Sequence, residues 1–425
     1  AAFRACAADA AAAAGASFRA VVVGDTGAGK SSLLNAFLGE AEVLPTSCMR
    51  ACTAAVVELA YRGAAAAPGD GASQCFDGAA PPRPYGCVVE MATAEFWAEE
   101  VGPYKAWLDA ATRASAAPPD GHAARAAYDR VVALFGADAL ADAAAVYASK
   151  RGPGKGAKRR GAYFFEAHAS VGATVTLEAG TAAELRAAAE RYVDSSASAA
   201  EGALWPLVRR VAIAGPWASL ACGLVLVDAP GLRDDNSARD GVVKQCLARA
   251  DALLLVSNVR RAVNDKTVKD CLVAPFRARL ARDRRPGDVV FVATQTDTMN
   301  RGEVAENLGL AEDAPLEAVA TARNDFCREA VDAAFYEGLD AAALPANRGA
   351  GGFEFAVLAC SAVDCQKLEG ARTQDGPPKI WDDARKTQVP ALRRLLRGAA
   401  LRPPRDETTG AIFLAELAAA KARAA

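Results

Sequence analysis

The feature that most constrains the fold is a glycine-rich stretch, GDTGAGKSS at residues 24–32, which directly follows the apolar run FRAVVV. It matches the pattern G-x-x-x-x-G-K-[ST] and does not fit the dinucleotide pattern G-x-G-x-x-G. A strand at 18–23 and a helix at 30–38 would point successive backbone N–H groups at a phosphate, next to the positive end of the helix dipole. We therefore predict a loop that binds a nucleoside triphosphate. Its predicted contacts come from Gly24, Asp25, Thr26, Gly27, Ala28, Gly29, Lys30, Ser31 and Ser32.

Two side chains of this loop have their own predicted roles. Lys30 can reach the β- and γ-phosphates, and the Ser31 hydroxyl can take one coordination position of Mg²⁺. The loop alone leaves ATPases, small-molecule kinases and GTPases open as classes.

Short apolar runs rich in β-branched residues alternate with helical patterns along the chain. Several runs are nearly all apolar, which is typical of central strands covered by helices on both faces. The alternation predicts an α/β fold with a doubly wound, mostly parallel sheet flanked by helices. The predicted strands lie at 18–23, 54–60, 208–214, 223–227, 252–257, 288–293 and 355–359.

The stretch at about 62–203, between the second and third predicted strands, breaks this alternation. It contains a Gly/Pro-rich segment at 62–84 and a basic run, KRGPGKGAKRRG, at 150–161. We interpret the stretch as a helical and loop insertion in the sheet rather than an independent domain. The basic run is either a solvated loop or a nuclear address or polyanion contact. The predicted helices of the insertion lie at 94–111, 123–135 and 181–193.

Composition narrows the classes of function. The formal net charge of −2 provides no global basic field to recruit nucleic acid or an anionic membrane, so we predict no specific nucleic-acid partner and leave membrane contact open. The chain has 11 cysteines without a CxxC pair, and its only histidines are His122 and His168, which argues against a zinc site or a His-based triad. Without an apolar stretch of about 18 residues or a signal-peptide pattern, we expect a soluble intracellular chain with buried, reduced thiols.

Two further elements place chemistry beside the phosphate loop. The stretch LVLVDAPGL at 224–232 is an apolar strand that ends in Asp228-x-x-Gly231. The Asp228 carboxylate can hold the Mg²⁺ shell, and the Gly231 N–H can meet the γ-phosphate. Thr53, just before the second strand, can offer its hydroxyl to Mg²⁺ and its carbonyl to the attacking water. The predicted metal ligands are thus Ser31, Thr53 and Asp228, and the predicted catalytic residues are Lys30, Thr53 and Gly231.

The last two predicted strands end in residues suited to reading a base. The strand at 288–293 runs into TQTD, in which the Asp297 carboxylate can accept hydrogen bonds from the N1–H and N2–H₂ groups of guanine. Adenine lacks that pair of donors and would leave the carboxylate unpaired. CSA at 360–362 follows the last strand, where the backbone of Ser361 and Ala362 can approach O6. The predicted base contacts are Thr294, Asp297, Ser361 and Ala362.

The order of these five elements resembles the dynamin-type large GTPases, as does the spacing of SSLLNAFLGE and LP after the phosphate loop. It is most similar to the nuclear GTPase SLIP-GC group. The segments that carry this similarity are LWPLVRRVAIAGP at 204–216, LVDAPGLRDDNSARD at 226–240, VSNVRRA at 256–262 and VPALRRLL at 389–396. The resemblance implies a P-loop GTPase fold, GTP as substrate with Mg²⁺, GDP and phosphate as products, and stimulation by self-association as a homodimer. It also implies a nuclear location, and a cytoplasmic location stays open.

The chain departs from the family pattern at three positions. Gln295 stands where the base-reading element usually has lysine, and Thr26 and Gly27 stand where dynamins proper carry Gln-Ser. Arg233 and Arg239 are candidates to stabilise developing charge. The alternatives left open are a nucleotide-binding scaffold with negligible turnover and a P-loop ATPase.

The chain ends complete the predicted domain plan. Helical patterns at 1–14 and 408–425 are expected to pair beside the sheet, as the resemblance implies. The plan is a helical segment at 1–17, a GTPase domain at 18–398 and the start of a further helical segment at 399–425, in a chain that is a piece of something longer or a reduced relative.

Overall fold

The computed structural model describes residues 17–46, 55–63, 83–110, 117–119, 121–138, 170–194, 202–229, 246–262, 288–336 and 356–402. Several predicted features lie outside these ranges. They are Thr53, Gly231, Arg233, Arg239, the basic run at 150–161 and the two terminal helices.

Nine described strands form one mixed sheet in the order β4-β3-β5-β2-β6-β1-β7-β8-β9. Five of the eight neighbouring pairs are parallel, and the pairs β2–β6, β3–β4 and β3–β5 are antiparallel. The strands are β1 (Phe18–Val23), β2 (Val56–Tyr61), β3 (Tyr85–Met91), β4 (Thr174–Ala179), β5 (Val208–Gly215), β6 (Leu224–Asp228), β7 (Ala252–Asn258), β8 (Val289–Thr294) and β9 (Ala356–Ala359).

Helices lie on both faces of this sheet. The described helices are α1 (Lys30–Leu38), α2 (Ala94–Ala110), α3 (Arg125–Phe135), α4 (Ala182–Val193), α5 (Arg301–Asn307), α6 (Leu316–Tyr336), α7 (Ala362–Leu368) and α8 (Val389–Ala400). Short 3₁₀ turns stand at Trp205–Leu207 and Ala384–Thr387.

Successive side chains of β1 point to opposite faces of the sheet and belong to two separate hydrophobic clusters. Ala20 and Val22 pack in one cluster with residues of α1, α7 and α8, whereas Val21 and Val23 pack in a second cluster with residues of α6. All four side chains are at most 3% exposed, because successive residues of a central strand point to opposite, equally covered faces. This confirms the α/β fold with a mostly parallel sheet.

The seven predicted strands are present, with their ends shifted by at most two residues within the described ranges. The predicted helical and loop insertion also contains two strands that were not predicted, β3 and β4, which extend the sheet. β3 pairs with β5 and buries Cys87, Val89 and Met91, which gives the backbone of β5 a partner on that side. In β4, the sequence TVTLEA alternates exposed and more buried residues, a two-residue period typical of a strand covered on one face.

The three helices predicted in the insertion are present as α2, α3 and α4. Thr181 caps α4, since its side chain accepts a hydrogen bond from the Glu184 N–H. The six described cysteines are free thiols, and five of them are buried. Across the described ranges, no helix is both long enough and apolar enough to cross a bilayer.

A buried amide fixes the loop that follows α1. The Asn35 side chain donates to Leu44 O at 2.9 Å and accepts from the N–H groups of Val43 (3.0 Å) and Leu44 (2.9 Å). Arg393 of α8 donates to Phe37 O at 2.9 Å and so satisfies a carbonyl of the last turn of α1. Both ends of α1 are therefore held, the far end by these contacts and the near end by the glycine-rich loop.

We predict that Asn35→Ala lowers the free energy of unfolding by about 1–3 kcal/mol, because it leaves three backbone groups of the loop without a partner in a buried position. Urea unfolding measures the change. The matched control, Asn307→Ala on the exposed surface of α5, is expected to stay within about 0.5 kcal/mol of wild type. Equal effects of the two substitutions would contradict this role of Asn35.

Candidate nucleotide-binding site

Five parallel strands end at the same edge of the sheet. β6, β1, β7, β8 and β9 are neighbours and run in one direction, so their carboxyl ends meet there. Ligands of open α/β sheets bind outside such an edge. The residues that end these strands or directly follow them lie at this edge, and they are Asp228, Gly24, Asn258, Thr294 and Cys360.

The glycine-rich loop has the backbone that its sequence predicts. Gly27 (φ +79°) and Gly29 (φ +85°) adopt the left-handed conformation that side chains disfavour. Gly24 is needed for a different reason, since a Cβ there would stand 2.1 Å from Val256 O of β7. The loop thus combines two left-handed turns with a close approach to the neighbouring strand.

Lys30 lies under this loop at the start of α1. Its ammonium donates to Gly24 O at 2.9 Å and to Asp25 O at 3.1 Å, and the residue is 9% exposed. Gly29 precedes the helix, and no side chain caps that position. Helix N–H groups and a cation that face one loop suit a phosphate group. Thr26 and Gly27 at the tip of the loop are exposed.

Thr294 joins the phosphate loop to the base-reading loop. Its hydroxyl contacts Ala28 O and lies 3.1 Å from Ser257 O, and the side chain is 2% exposed. A Cβ at Gly29 would come within 3.2 Å of the Thr294 hydroxyl, so the two loops are in close contact. Thr294 was predicted as a base contact, whereas in this structure its hydroxyl positions the loops relative to each other.

Asp297 lies in the base-reading loop, 8% exposed, with the Ser361 hydroxyl 3.4 Å from its Oδ1. Burial raises the pKa of Asp297 above its ordinary value, and the neighbouring Asp364 carboxylate also raises it. The backbone N–H of Asp297, the Lys379 ammonium and the Ser361 hydroxyl lower the pKa and partly offset that rise. The site therefore holds a desolvated carboxylate with polar neighbours, which suits a ligand that brings its own N–H donors.

Two charged residues that the sequence analysis did not single out support this loop. Arg323 of α6 donates to Thr296 O at 2.7 Å and to Thr298 O at 3.2 Å, on either side of Asp297. Burial lowers the pKa of the Arg323 guanidinium. These two hydrogen bonds join residues that are 25 and 27 positions apart in the sequence, so no local sequence motif indicates them.

Asp364 is the second support. Its fully buried carboxylate accepts backbone N–H groups from Lys379 (2.8 Å), Ile380 (3.0 Å) and Trp381 (3.2 Å). These bonds fix the segment after α7 beside the base-reading loop and bring Lys379 close to Asp297.

Ser361 follows β9 and lies beside the base-reading loop. Its backbone N–H donates to Thr387 O at 3.0 Å, and its hydroxyl faces Asp297. The approach of the Ser361 backbone to O6 stays a prediction. Ala362 begins α7 directly after it, where the prediction for its backbone remains untested.

The residues predicted to hold Mg²⁺ are partly described. Asp228 ends β6, is fully buried and pairs in register with Val22, two residues before Gly24. Ser31 lies in the first turn of α1 and is half-buried. A carboxylate and a hydroxyl are the hard oxygen ligands that Mg²⁺ prefers, and this ion usually takes only one or two ligands from protein. The donor set therefore fits a nucleotide-bound Mg²⁺, while Thr53 lies outside the described residues.

Comparisons with known proteins agree with this arrangement. Residues 20–273 match the profile described as the Dynamin family. The protein named nuclear GTPase SLIP-GC from Mus musculus is 28% identical over 294 residues, which are 66% of this chain and 32% of that relative. Its Homo sapiens counterpart is 26% identical over 291 residues, with the same coverage. The chain thus matches about a third of the length of these curated relatives.

Two solved structures also align with the chain. Both are described as an oligomerised bacterial dynamin pair that provides a mechanism for the long-range sensing and tethering of membranes. They cover 95% and 96% of this chain and 41% and 40% of their own, at 16% and 15% identity, each with a TM-score of 0.44. The family profile itself covers more than half of the 425 residues, and the chain therefore belongs to the dynamin family of GTPases.

Proposed function

We propose that this chain binds GTP with Mg²⁺ and hydrolyses it to GDP and phosphate. The observation that carries the proposal is the direct contact between a phosphate loop and a loop with a buried carboxylate, made through the Thr294 hydroxyl. Such a contact holds the binding sites for the two ends of one nucleotide at a fixed separation. Membership of the dynamin family supports the same conclusion.

We propose that the site binds guanine in preference to other bases. An ionised Asp297 accepts two hydrogen bonds, and guanine presents N1–H and N2–H₂ donors on one edge. A base without these donors would leave a buried carboxylate unpaired, at a cost of about 1–3 kcal/mol or more. Arg323 supports this choice of base by holding the backbone on both sides of the Asp297 carboxylate, and Asp364 supports it by fixing the segment at 379–381.

Phosphate chemistry is assigned to the glycine-rich loop and the residues next to it. Lys30 would leave its carbonyl partners for the β- and γ-phosphates, and Ser31 and Asp228 would hold Mg²⁺, which supplies charge neutralisation when bound. Thr53 and Gly231, as predicted from the sequence, would orient the attacking water and the γ-phosphate.

Self-association is proposed as the source of faster turnover. Thr26 and Gly27 stand where dynamins proper carry the polar pair that orients water, so a residue from elsewhere has to complete the site, and Arg233 and Arg239 are the candidates in this chain. A homodimer across the nucleotide face could supply one of them.

The names of the curated relatives also support a nuclear location. Imaging of a fluorescent fusion tests this: signal in nuclei is expected, and exclusion from nuclei would contradict it.

We predict that wild type binds GTPγS at least about 100-fold more tightly than ATPγS in Mg²⁺, because only guanine pairs with Asp297. Asp297→Asn should abolish tight GTPγS binding and favour xanthosine triphosphate, whose O2 accepts from the introduced amide. Wild-type affinity should also fall as the pH drops through the raised pKa of Asp297, since a protonated carboxyl loses an acceptor. Calorimetric titration measures all three effects.

Asp313→Asn, an exposed carboxylate on the loop between α5 and α6, serves as the matched control and should leave the affinities unchanged. Equal binding of GTPγS and ATPγS by wild type would show that Asp297 does not read guanine and would favour an ATPase or kinase.

Turnover per molecule at saturating GTP should rise with protein concentration, because two copies complete the site together. Phosphate release measured over a hundredfold range of protein concentration tests this. A flat rate would contradict activation by self-association. Tight binding without any turnover would instead support the nucleotide-binding scaffold.

A further inference from the structure

We propose that Asn258 and Gln295 form a directed hydrogen-bond relay that locks the base-reading loop onto the phosphate loop. Gln295 takes the place of the expected lysine, and Asn258 is its positioning residue. The functional part of this inference rests on the proposed nucleotide binding.

The relay consists of two side-chain amides in series. Asn258, at the end of β7, donates through Nδ2 to Gln295 Oε1 at 2.5 Å. Gln295 in turn donates through Nε2 to Gly27 O at 3.0 Å. Gly27 is one of the two left-handed glycines of the phosphate loop. A neutral side chain of the base-reading loop therefore contacts the backbone that would surround the phosphates.

Backbone groups at the two ends set the direction of the relay. Asn258 Oδ1 accepts from the Arg260 N–H at 2.9 Å, and an N–H can only donate, so Nδ2 has to face Gln295. The Gln295 amide then presents its oxygen to Asn258 and its nitrogen to Gly27 O, which can only accept. Reversing either amide would place two donors or two acceptors against each other.

The backbone holds both residues in position for this contact. The Val259 N–H donates to Thr294 O at 3.0 Å, which joins the turn after β7 to the end of β8. Gln295 has φ +58°, a left-handed conformation that costs a residue with a side chain roughly 1–2 kcal/mol. Its carbonyl accepts from the Thr298 N–H at 3.1 Å within the same loop. Gln295 keeps this unfavourable φ while its side chain contacts Gly27 O.

This arrangement gives Asn258 a consequence for nucleotide affinity, although none of the predicted site residues is Asn258. If its amide cannot donate, Gln295 loses its orientation, and the two halves of the groove are less firmly joined. Both GDP and GTP affinity should then fall, because each nucleotide contacts both loops.

The sharpest test is Asn258→Asp, which keeps the size of the side chain and removes its donor. The carboxylate still accepts from the Arg260 N–H but draws the Gln295 amide nitrogen toward itself, so Oε1 turns to Gly27 O. We expect GTPγS affinity to fall about tenfold, the effect of losing roughly one net hydrogen bond. Gln295→Ala should give a similar loss, and adding Asn258→Ala to it should cause no further loss.

A rescue variant distinguishes a relay from general damage. In the double variant Asn258→Asp/Gln295→Lys, the new ammonium can donate to both the carboxylate and Gly27 O. Affinity should return to within about threefold of wild type, which is a remaining difference in binding free energy of under about 1 kcal/mol. Asn300→Asp, which adds the same charge at the exposed residue before α5, is the matched control and should change affinity less than twofold.

A nucleotide-free readout separates the relay from the proposed function. Amide hydrogen exchange of residues 294–299 should speed up several-fold in Asn258→Asp and return toward wild type in the double variant. Faster exchange with rescue, in a chain that fails to bind GTPγS, would overturn the proposed function and support the relay as a structural lock. An Asn258→Asp variant that matches Asn300→Asp in both exchange and affinity would overturn the relay.

Discussion

The contact between the Thr294 hydroxyl and Ala28 O is the interaction on which the candidate site depends. It links the end of β8 to the phosphate loop after β1, two strands that are separated in the sheet by β7. Because the same hydroxyl also lies beside Ser257 O of β7, one buried side chain joins three strand ends. The separation of the phosphate loop and the base-reading loop is therefore set by the sheet and not by the loops alone.

Two buried carboxylates lie at the end of the candidate site that would bind the base. Asp297 and Asp364 are both buried; burial raises the pKa of Asp297, and the charge of Asp364 adds to that rise. Asp364 accepts hydrogen bonds from three backbone N–H groups and so fixes the following segment. Asp297 has weaker neighbours, a hydroxyl at 3.4 Å among them. The pair thus consists of one carboxylate with a structural role and one suited to a ligand with its own donors.

The sequence predicted those parts of the structure that depend on local patterns. β1 and α1 have their predicted ends, because the glycine-rich loop between them imposes its own geometry on both sides. β3 and β4 were missed, although the alternation in TVTLEA was visible, since the surrounding insertion was interpreted from its helices and its Gly/Pro-rich loop. The supports from Arg323, Asp364 and Asn258 could not be predicted, because each depends on a contact that only the folded sheet creates. Thr53 and Gly231 remain predictions.

The proposed function places guanine beside Asp297 and the phosphates of the same nucleotide beside Lys30. Photo-crosslinking with 8-azido-GTP, followed by mass-spectrometric mapping, tests it most directly. We expect labelling within the peptides that contain residues 24–32, 294–298 or 360–364, and suppression of the labelling by GTP but not by ATP. Labelling confined to other parts of the chain, or equal suppression by both nucleotides, would contradict it.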